Sequence, residues 1–174
     1  MIETDSLILD KAKFSDWKAM YDNVWSQPTC AKYMNWKITT SEEDAKIRME
    51  KTIEFQKNHD TYVVYEKASG KAIGFAGVEE AAPYIYQEMG ICLGVNYMGK
   101  GLGKEIVQGL ILYCKKEFCA REFIYFTREE NEASNKLAKS LGFTMIGSEP
   151  KIDSRDGHAY QLLKYRLKLD LFDR

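Results

Sequence analysis

Between Tyr84 and Phe126 the chain carries a strand pattern, a glycine-rich turn, an amphipathic helix pattern and a second apolar strand. No other feature constrains the fold as much. Tyr84 to Val95 reads as a long strand. Gly101 to about Glu117 reads as a helix, with Leu102, Ile106, Leu110, Cys114 and Phe118 along one stripe. Phe123-Ile124-Tyr125-Phe126 is a continuous apolar run, the pattern of a strand covered on both faces. Two strands joined through a helix make a βαβ unit, so they lie parallel with a right-handed crossover.

The flanking segments place this unit in a larger α+β fold. Ser6 to Asp10 reads as a short strand, and Trp17, Met20, Tyr21 and Val24 follow an N-cap at Ser15–Asp16 at helical spacing. Gln27-Pro28 breaks that helix. Ser41 with Asp44 resembles a capping box and opens a helix toward Asn58. Thr61 to Glu66 and Ala72 to Glu79 form a hairpin around Ala68-Ser69-Gly70-Lys71. After the βαβ unit, Asn131 caps a helix with Ser134, Leu137, Ala138 and Leu141 on one face, and Gly142 ends it. Phe143 to Gly147 and Ala159 to Leu169 close the chain as strands. The expected class is α+β, a single domain over 1–174 with a mixed, twisted sheet flanked by helices. A chain of 174 residues fills one core and is too short for two ordinary domains.

Composition removes several function classes. Lys and Arg number 25 against 26 Asp and Glu, a net charge of −1, so the chain has no global pull toward nucleic acid or anionic membrane. The four cysteines form no C-x-x-C pair, and the two histidines, His59 and His158, lie apart from them, so no metal site is expected. The cysteines read as reduced thiols. No apolar run approaches membrane-spanning length and the first residues are acidic, so the expected location is cytoplasmic.

The glycine-rich turn is Gly94-Val95-Asn96-Tyr97-Met98-Gly99-Lys100-Gly101-Leu102-Gly103-Lys104. Glycines let backbone approach a ligand closely, and the first N–H groups of the helix have no intrahelical acceptor. With the positive end of the helix dipole they form an anion site, most naturally for phosphate. Lys100 and Lys104 add charge at its rim. The P-loop pattern fails because Gly101 stands where Ser or Thr would hold Mg²⁺. The dinucleotide fingerprint fails in both registers, which place Lys104 or Ile106 where the third glycine belongs.

Three motifs, together with the opening segment, resemble one family. Asn96 to Glu105 resembles the pyrophosphate-binding turn of GNAT-type acetyltransferases. Asn131-Glu132-Ala133-Ser134 with Leu141-Gly142-Phe143 resembles the family's Asn-x-x-Ser…Leu-Gly-Phe signature. Glu88-Met89-Gly90-Ile91-Cys92-Leu93 and the opening Glu3 to Leu9 resemble its ribosomal-protein N-terminal acetyltransferase branch. The resemblance implies acetyl-CoA as cosubstrate. Its diphosphate would lie on residues Met98, Gly99, Lys100, Gly101, Leu102, Gly103 and Lys104, its pantetheine arm beside Ile91 and Leu93, with Asn131 also bonding that arm. Two departures stand out. Met98 replaces the usual Arg or Gln, and Ala138 stands where many members carry a Tyr as acid for the leaving thiolate. Ser134 is then the inherited candidate acid.

The implied reaction is direct transfer of acetyl to a primary amine, either a protein N-terminal α-amine or a small-molecule amine. Deprotonating a lysine amine at pH 7 costs about 4.6 kcal/mol, an α-amine only about 1 to 1.4 kcal/mol. A lysine-like acceptor therefore leans on a general base. Glu88 is the candidate, acting through water and sharing a strand face with Tyr84 and Tyr86; Glu79 and Glu80 are alternatives for holding the ammonium. Trp25, Tyr33, Trp36, Tyr84 and Tyr86 either line an acceptor pocket or fill the core. Loops around residues 25–40 and 148–157 are expected to set the acceptor. The competing class is a non-catalytic CoA- or nucleotide-binding protein that keeps the fold, and a homodimer is compatible with the reading, which does not fix the oligomeric state.

Overall fold

The computed structural model describes residues 1–170, so residues 171–174 of the expected domain lie outside the described residues. The chain divides into two units, Met1–Val78 with Met89–Leu110, and Glu79–Glu88 with the chain from Ile111 on.

In the first unit, β1 (Ile2–Glu3) and β2 (Leu7–Asp10) are antiparallel, and β2 pairs antiparallel with β3 (Asp60–Glu66). Leu7 and Leu9 are fully buried while Ile8 and Asp10 are half-buried, the two-residue period of a strand with one covered face. Helix α1 (Trp17–Met20) runs on into a π-helical turn, Tyr21–Trp25, which buries Val24 and Trp25. The expected break falls at Gln27, and Pro28 opens a new short helix, α2 (Pro28–Ala31), because proline's missing N–H is harmless at a first helical position. Helix α3 (Glu42–Gln56) starts as expected: Ser41 Oγ accepts the Asp44 N–H at 3.1 Å and donates to the Asp44 carboxylate at 2.6 Å. Met20, Val24, Ala45, Met49, Val63 and Cys92 join in one apolar cluster. β3 turns through Gly70, at φ +66°, into β4 (Ala72–Ala82).

The C-terminal half of β5 (Ile85–Leu93) belongs to this unit and is held by two close approaches. A Cβ on Gly74 would run into the Cys92 carbonyl oxygen, and one on Gly94 would sit 2.7 Å from that of Asn23. Gly94 is therefore a packing glycine. After Leu93 the chain leaves the sheet for a 3₁₀ turn, Val95–Tyr97, two residues sooner than the apolar pattern suggests.

In the second unit β5 lies parallel to β6 (Glu122–Arg128), with Tyr86 opposite Phe123 and Gln87 opposite Ile124. The connection runs through α4 (Leu102–Phe118), so the βαβ reading holds. Ile106, Leu110 and Cys114 of the expected stripe are fully buried. β5 begins at Ile85, and Tyr84 sits before it in the turn at φ +64°, so it does not share the strand face with Tyr86 and Glu88. Helix α5 (Glu132–Ser140) ends at Gly142, φ +84°, where the Phe143 N–H reaches the Ala138 carbonyl at 3.1 Å. β7 (Thr144–Ile152) and β8 (Ala159–Lys168) pair antiparallel, and β8 pairs antiparallel with β6. β7 runs to Ile152, so the loop expected over 148–157 shrinks to the short segment after it. That segment is anchored by Asp153, 2% exposed, whose carboxylate accepts from Arg128 at 2.8 Å and Arg155 at 2.6 Å. The sheet is mixed and the class α+β, as expected.

Candidate active site

Two groups of candidate residues are built on these elements, one in each unit. The first is the glycine turn. Gly99 and Gly101 take left-handed backbone, φ +73° and +81°, which a residue with a Cβ avoids. A Cβ at either position would meet no atom within 4 Å, so these glycines serve the turn's path and leave open space above it. The Gly101 carbonyl accepts the Glu105 N–H at 3.2 Å, the first bond of α4. The N–H groups of Leu102, Gly103 and Lys104 precede that bond and have no intrahelical acceptor. Met98 and the two lysines are exposed around them, and Lys100 Nζ lies 5.5 Å from the Tyr97 ring centroid.

The start of α4 is fixed from the other side. Glu105 Oε1 accepts from Thr4 Oγ1 at 2.5 Å and from the Ser6 N–H at 2.6 Å. This carboxylate is held by the N-terminal segment. A Cβ on Gly109 would lie 2.8 Å from Thr4 Cγ2, so α4 is seated closely on that segment. Of the two strand positions, Ile91 is half-buried and Leu93 is buried, and the Leu93 carbonyl is approached by the Cys30 thiol at 3.4 Å. The Cys92 thiol also approaches that carbonyl, at 3.8 Å.

The second group joins β5, β6 and α5. Ser134 and the buried Tyr125 share a hydrogen bond of 2.8 Å between Oγ and the phenol oxygen. Glu88 on β5 lies one residue beyond the Gln87–Ile124 pair, and Tyr125 lies one residue beyond it on β6. Burial, with the Glu88 charge adding to it, pushes the Tyr125 phenol up to about 12, while the Ser134 bond opposes the rise. Asn131 Oδ1 accepts the Ser134 N–H at 3.2 Å, the N-cap of α5. The buried Asn135 amide donates to the carbonyls of Arg128, Glu129 and Asn131 and accepts from Tyr165 at 2.8 Å, tying the cap to the end of β6.

The structure bonds Ser134 to Tyr125 and sets the Glu88 charge within electrostatic reach of that phenol, a tyrosine the sequence reading passed over as part of an apolar strand. A signal was present: a buried tyrosine hydroxyl requires a partner, and a strand covered on both faces seldom supplies one from backbone. The other carboxylates are held locally. Glu79 accepts from Gln87 Nε2 at 2.6 Å, and Glu80 from the Tyr84 N–H at 3.3 Å. Of the aromatics, Trp25 and Tyr86 are core residues, the latter stacked on Phe118 at 5.0 Å. Tyr33 and Trp36 are half-buried and Tyr84 is exposed. Among the described residues no helix is long and apolar enough to cross a membrane.

The βαβ unit whose helix opens on left-handed glycines and the Asn-capped helix carrying a serine both fall within the span matched by one acyltransferase family. The chain belongs to the GNAT acetyltransferases: the model of the Acetyltransferase (GNAT) domain matches residues 6–144. It is similar to an uncharacterized N-acetyltransferase, p20, of Bacillus licheniformis, 29% identical over 147 residues covering 83% of this chain and 82% of the relative. Among solved structures it resembles a GNAT-family acetyltransferase from Bacillus anthracis, with a TM-score of 0.82, 21% identity, and coverage of 96% of this chain and 97% of that one. It also resembles RimL, a ribosomal L7/L12 α-N-protein acetyltransferase solved with coenzyme A, with a TM-score of 0.81, 20% identity and 98% of both chains covered.

Proposed function

We propose that this GNAT enzyme transfers acetyl from acetyl-CoA to a primary amine, a protein N-terminal α-amine or a small-molecule amine, by direct attack in a ternary complex. The observation that carries the reading is the helix start at Leu102, Gly103 and Lys104, whose amides lie beyond two left-handed glycines in open space. Amides in that setting suit a diphosphate. The RimL structure, with its bound coenzyme A, supports the cosubstrate, and that protein's α-amine chemistry supports the acceptor class. Ile91 and Leu93 offer strand backbone to the pantetheine arm.

The acceptor must first be neutral. Glu88 takes its proton, through water, and the free nitrogen attacks the acetyl carbonyl. The C–N bond forms and the C–S bond breaks, leaving CoA as thiolate. Ser134 and Tyr125 offer hydroxyl hydrogens to that sulfur, in place of a Tyr at position 138. Residues 1–174 then act as one catalytic domain, and a cytoplasmic setting suits the free thiols Cys30, Cys92, Cys114 and Cys119.

Calorimetric titration with acetyl-CoA, followed by thiol release across a panel of amines, tests the reading. Binding and amine-dependent release are expected. Binding without release from any amine overturns the transfer reaction, and absence of binding overturns the cofactor site as well.

A further inference from the structure

Within the first unit, side chains from α1, α3, β3 and β4 surround a cavity of about 210 Å³. Its walls are mostly aromatic, with Trp25, Trp36, Phe55, Tyr62 and Phe75 contributing, and Met89 of β5 lines it too. One charged side chain faces this apolar lining: Arg48 of α3. Its guanidinium carbon lies 4.8 Å from the Trp25 ring centroid and 4.5 Å from that of Trp36. Nη1 donates to Thr39 Oγ1 at 3.0 Å. Among the described residues no carboxylate pairs with Arg48, and none lines the cavity. Burial lowers its pKa to about 10, which leaves it charged near neutrality. Thr61 Oγ1, buried and without a hydrogen-bond partner, also belongs to the lining.

A guanidinium set among apolar side chains without a counter-ion is costly unless something else compensates its charge. The indole faces do part of this. They engage the faces of the guanidinium, whereas its N–H donors lie in its plane and only one donor is committed to Thr39. What remains is an in-plane fork, the geometry that matches a carboxylate. A phosphate dianion would need a second cation, and the lining holds none.

We propose that this cavity binds the acceptor, and that the acceptor is a small amino carboxylate with an apolar or aromatic body. This rests on the acetyl-transfer reading above and narrows its substrate class. The carboxylate pairs with Arg48, and the body packs on the aromatic walls. Met89 stands two residues before Ile91 on β5, roughly 7 Å along a strand, so a ligand in the cavity ends near the strand that would flank the pantetheine arm. A cavity of 210 Å³ is below the roughly 300 to 1,000 Å³ of drug-sized sites, which fits a compact ligand.

The test compares matched pairs that differ by one carboxylate: leucine with isopentylamine, phenylalanine with phenethylamine, tryptophan with tryptamine. Binding to the full-length protein without acetyl-CoA is followed by intrinsic tryptophan fluorescence for the first two pairs, since Trp25 and Trp36 touch Arg48, and by calorimetry for the third. At least one carboxylate member should bind about 10- to 100-fold tighter than its amine, the range expected for a charge-assisted hydrogen-bonded pair. Arg48→Gln should erase that preference and Arg48→Lys should keep a minor part of it, with circular dichroism melts confirming the fold. Equal binding within all three pairs overturns the proposal, as does a preference that survives in a folded R48Q protein. The wild-type comparison decides even where neither variant folds. Thiol release with the same pairs separates the two readings. Carboxylate-dependent binding without turnover of any amine defeats acetyl transfer and leaves the cavity assignment standing. Turnover without any preference for the carboxylate does the reverse.

Discussion

Replacing Tyr125 by Phe removes one hydroxyl from a buried strand and decides what the Glu88–Tyr125–Ser134 group does with protons. The phenol is 6% exposed, lies 2.8 Å from Ser134 Oγ, and has its pKa pushed up to about 12, chiefly by burial. A departing thiolate of cysteine-like pKa, about 8.5, is a much weaker base than the Tyr125 phenolate, so outright transfer of the phenolic proton runs uphill. The pair is thus suited to hold the sulfur in a hydrogen bond during C–S cleavage, with solvent completing the protonation. A hydrogen bond to a charged group contributes about 1.5 to 3 kcal/mol, so kcat in a thiol-release assay should fall about 10- to 100-fold. KM for acetyl-CoA should stay within about twofold, because the interaction develops with the leaving charge. Ser134→Ala should show a similar loss, and the double variant little more, since the two hydroxyls act as one unit. Loss of one neutral hydrogen bond lowers stability by only about 0.5 to 1.5 kcal/mol, so the melting temperature should move by a few degrees and cannot account for the lost turnover. Full activity in Y125F, or losses that multiply in the double variant, would refute the assignment.

Gly101→Val places a β-branched residue at φ +81° and puts its side chain into the space above the helix start, so acetyl-CoA affinity measured by calorimetry should fall at least about 100-fold; unchanged affinity would remove the turn from the site. Glu88→Gln should slow a lysine-like acceptor about 10-fold or more beyond its effect on an α-amine, because only the former carries a large deprotonation cost near pH 7; equal effects count against Glu88 as base. Asp153 is held far below the usual carboxylate range, by Arg155 first and Arg128 with it. Its stabilising contribution is therefore complete above about pH 4 and lost as pH falls through its folded pKa. Asp153→Asn should lower the melting temperature at pH 7 and flatten the acid side of the stability profile; an unchanged acid limb would show that the pair contributes nothing there.

The fold was legible wherever local chemistry and burial pointed the same way. Ser41, Gly70, Asn131 and Gly142 each do in space what their residue type does in isolation: cap, turn, cap and terminate. The βαβ unit followed from periodicity alone, because a helix between two apolar strands leaves few topologies. Errors came where tertiary contact decides. Tyr84 leaves the strand for left-handed backbone, and β7 extends to Ile152 because β8 supplies a partner that no local pattern announces. At the site, the glycine turn was readable because backbone conformation is written in glycine. The pairing of Tyr125 with Ser134 and the exposure of Arg48 to a cavity depend on neighbours far along the chain, and spacing carries no trace of them.

Position 138 bears on the role proposed for Tyr125. Ala138 is fully buried, so a tyrosine ring there would have to displace packed atoms. The hydroxyl comes instead from β6, and the family signature helps to fix it. Phe143, of the Leu-Gly-Phe segment, packs on Tyr125 with ring centroids 5.8 Å apart and on Phe123 at 6.3 Å. That packing restrains the two side-chain torsions of Tyr125 and holds its hydroxyl toward Ser134. Gly142 turns the chain at φ +84° directly before Phe143, and the Phe143 N–H is bonded to the Ala138 carbonyl. The small residue at 138, the left-handed glycine and the phenylalanine therefore support one arrangement. In that arrangement the strand tyrosine Tyr125 holds its hydroxyl beside Ser134, while position 138 carries none. Whether a hydroxyl can bond a departing sulfur depends on where its oxygen lies and on what holds it there, and the hydrogen-bonding role proposed for Tyr125 rests on both.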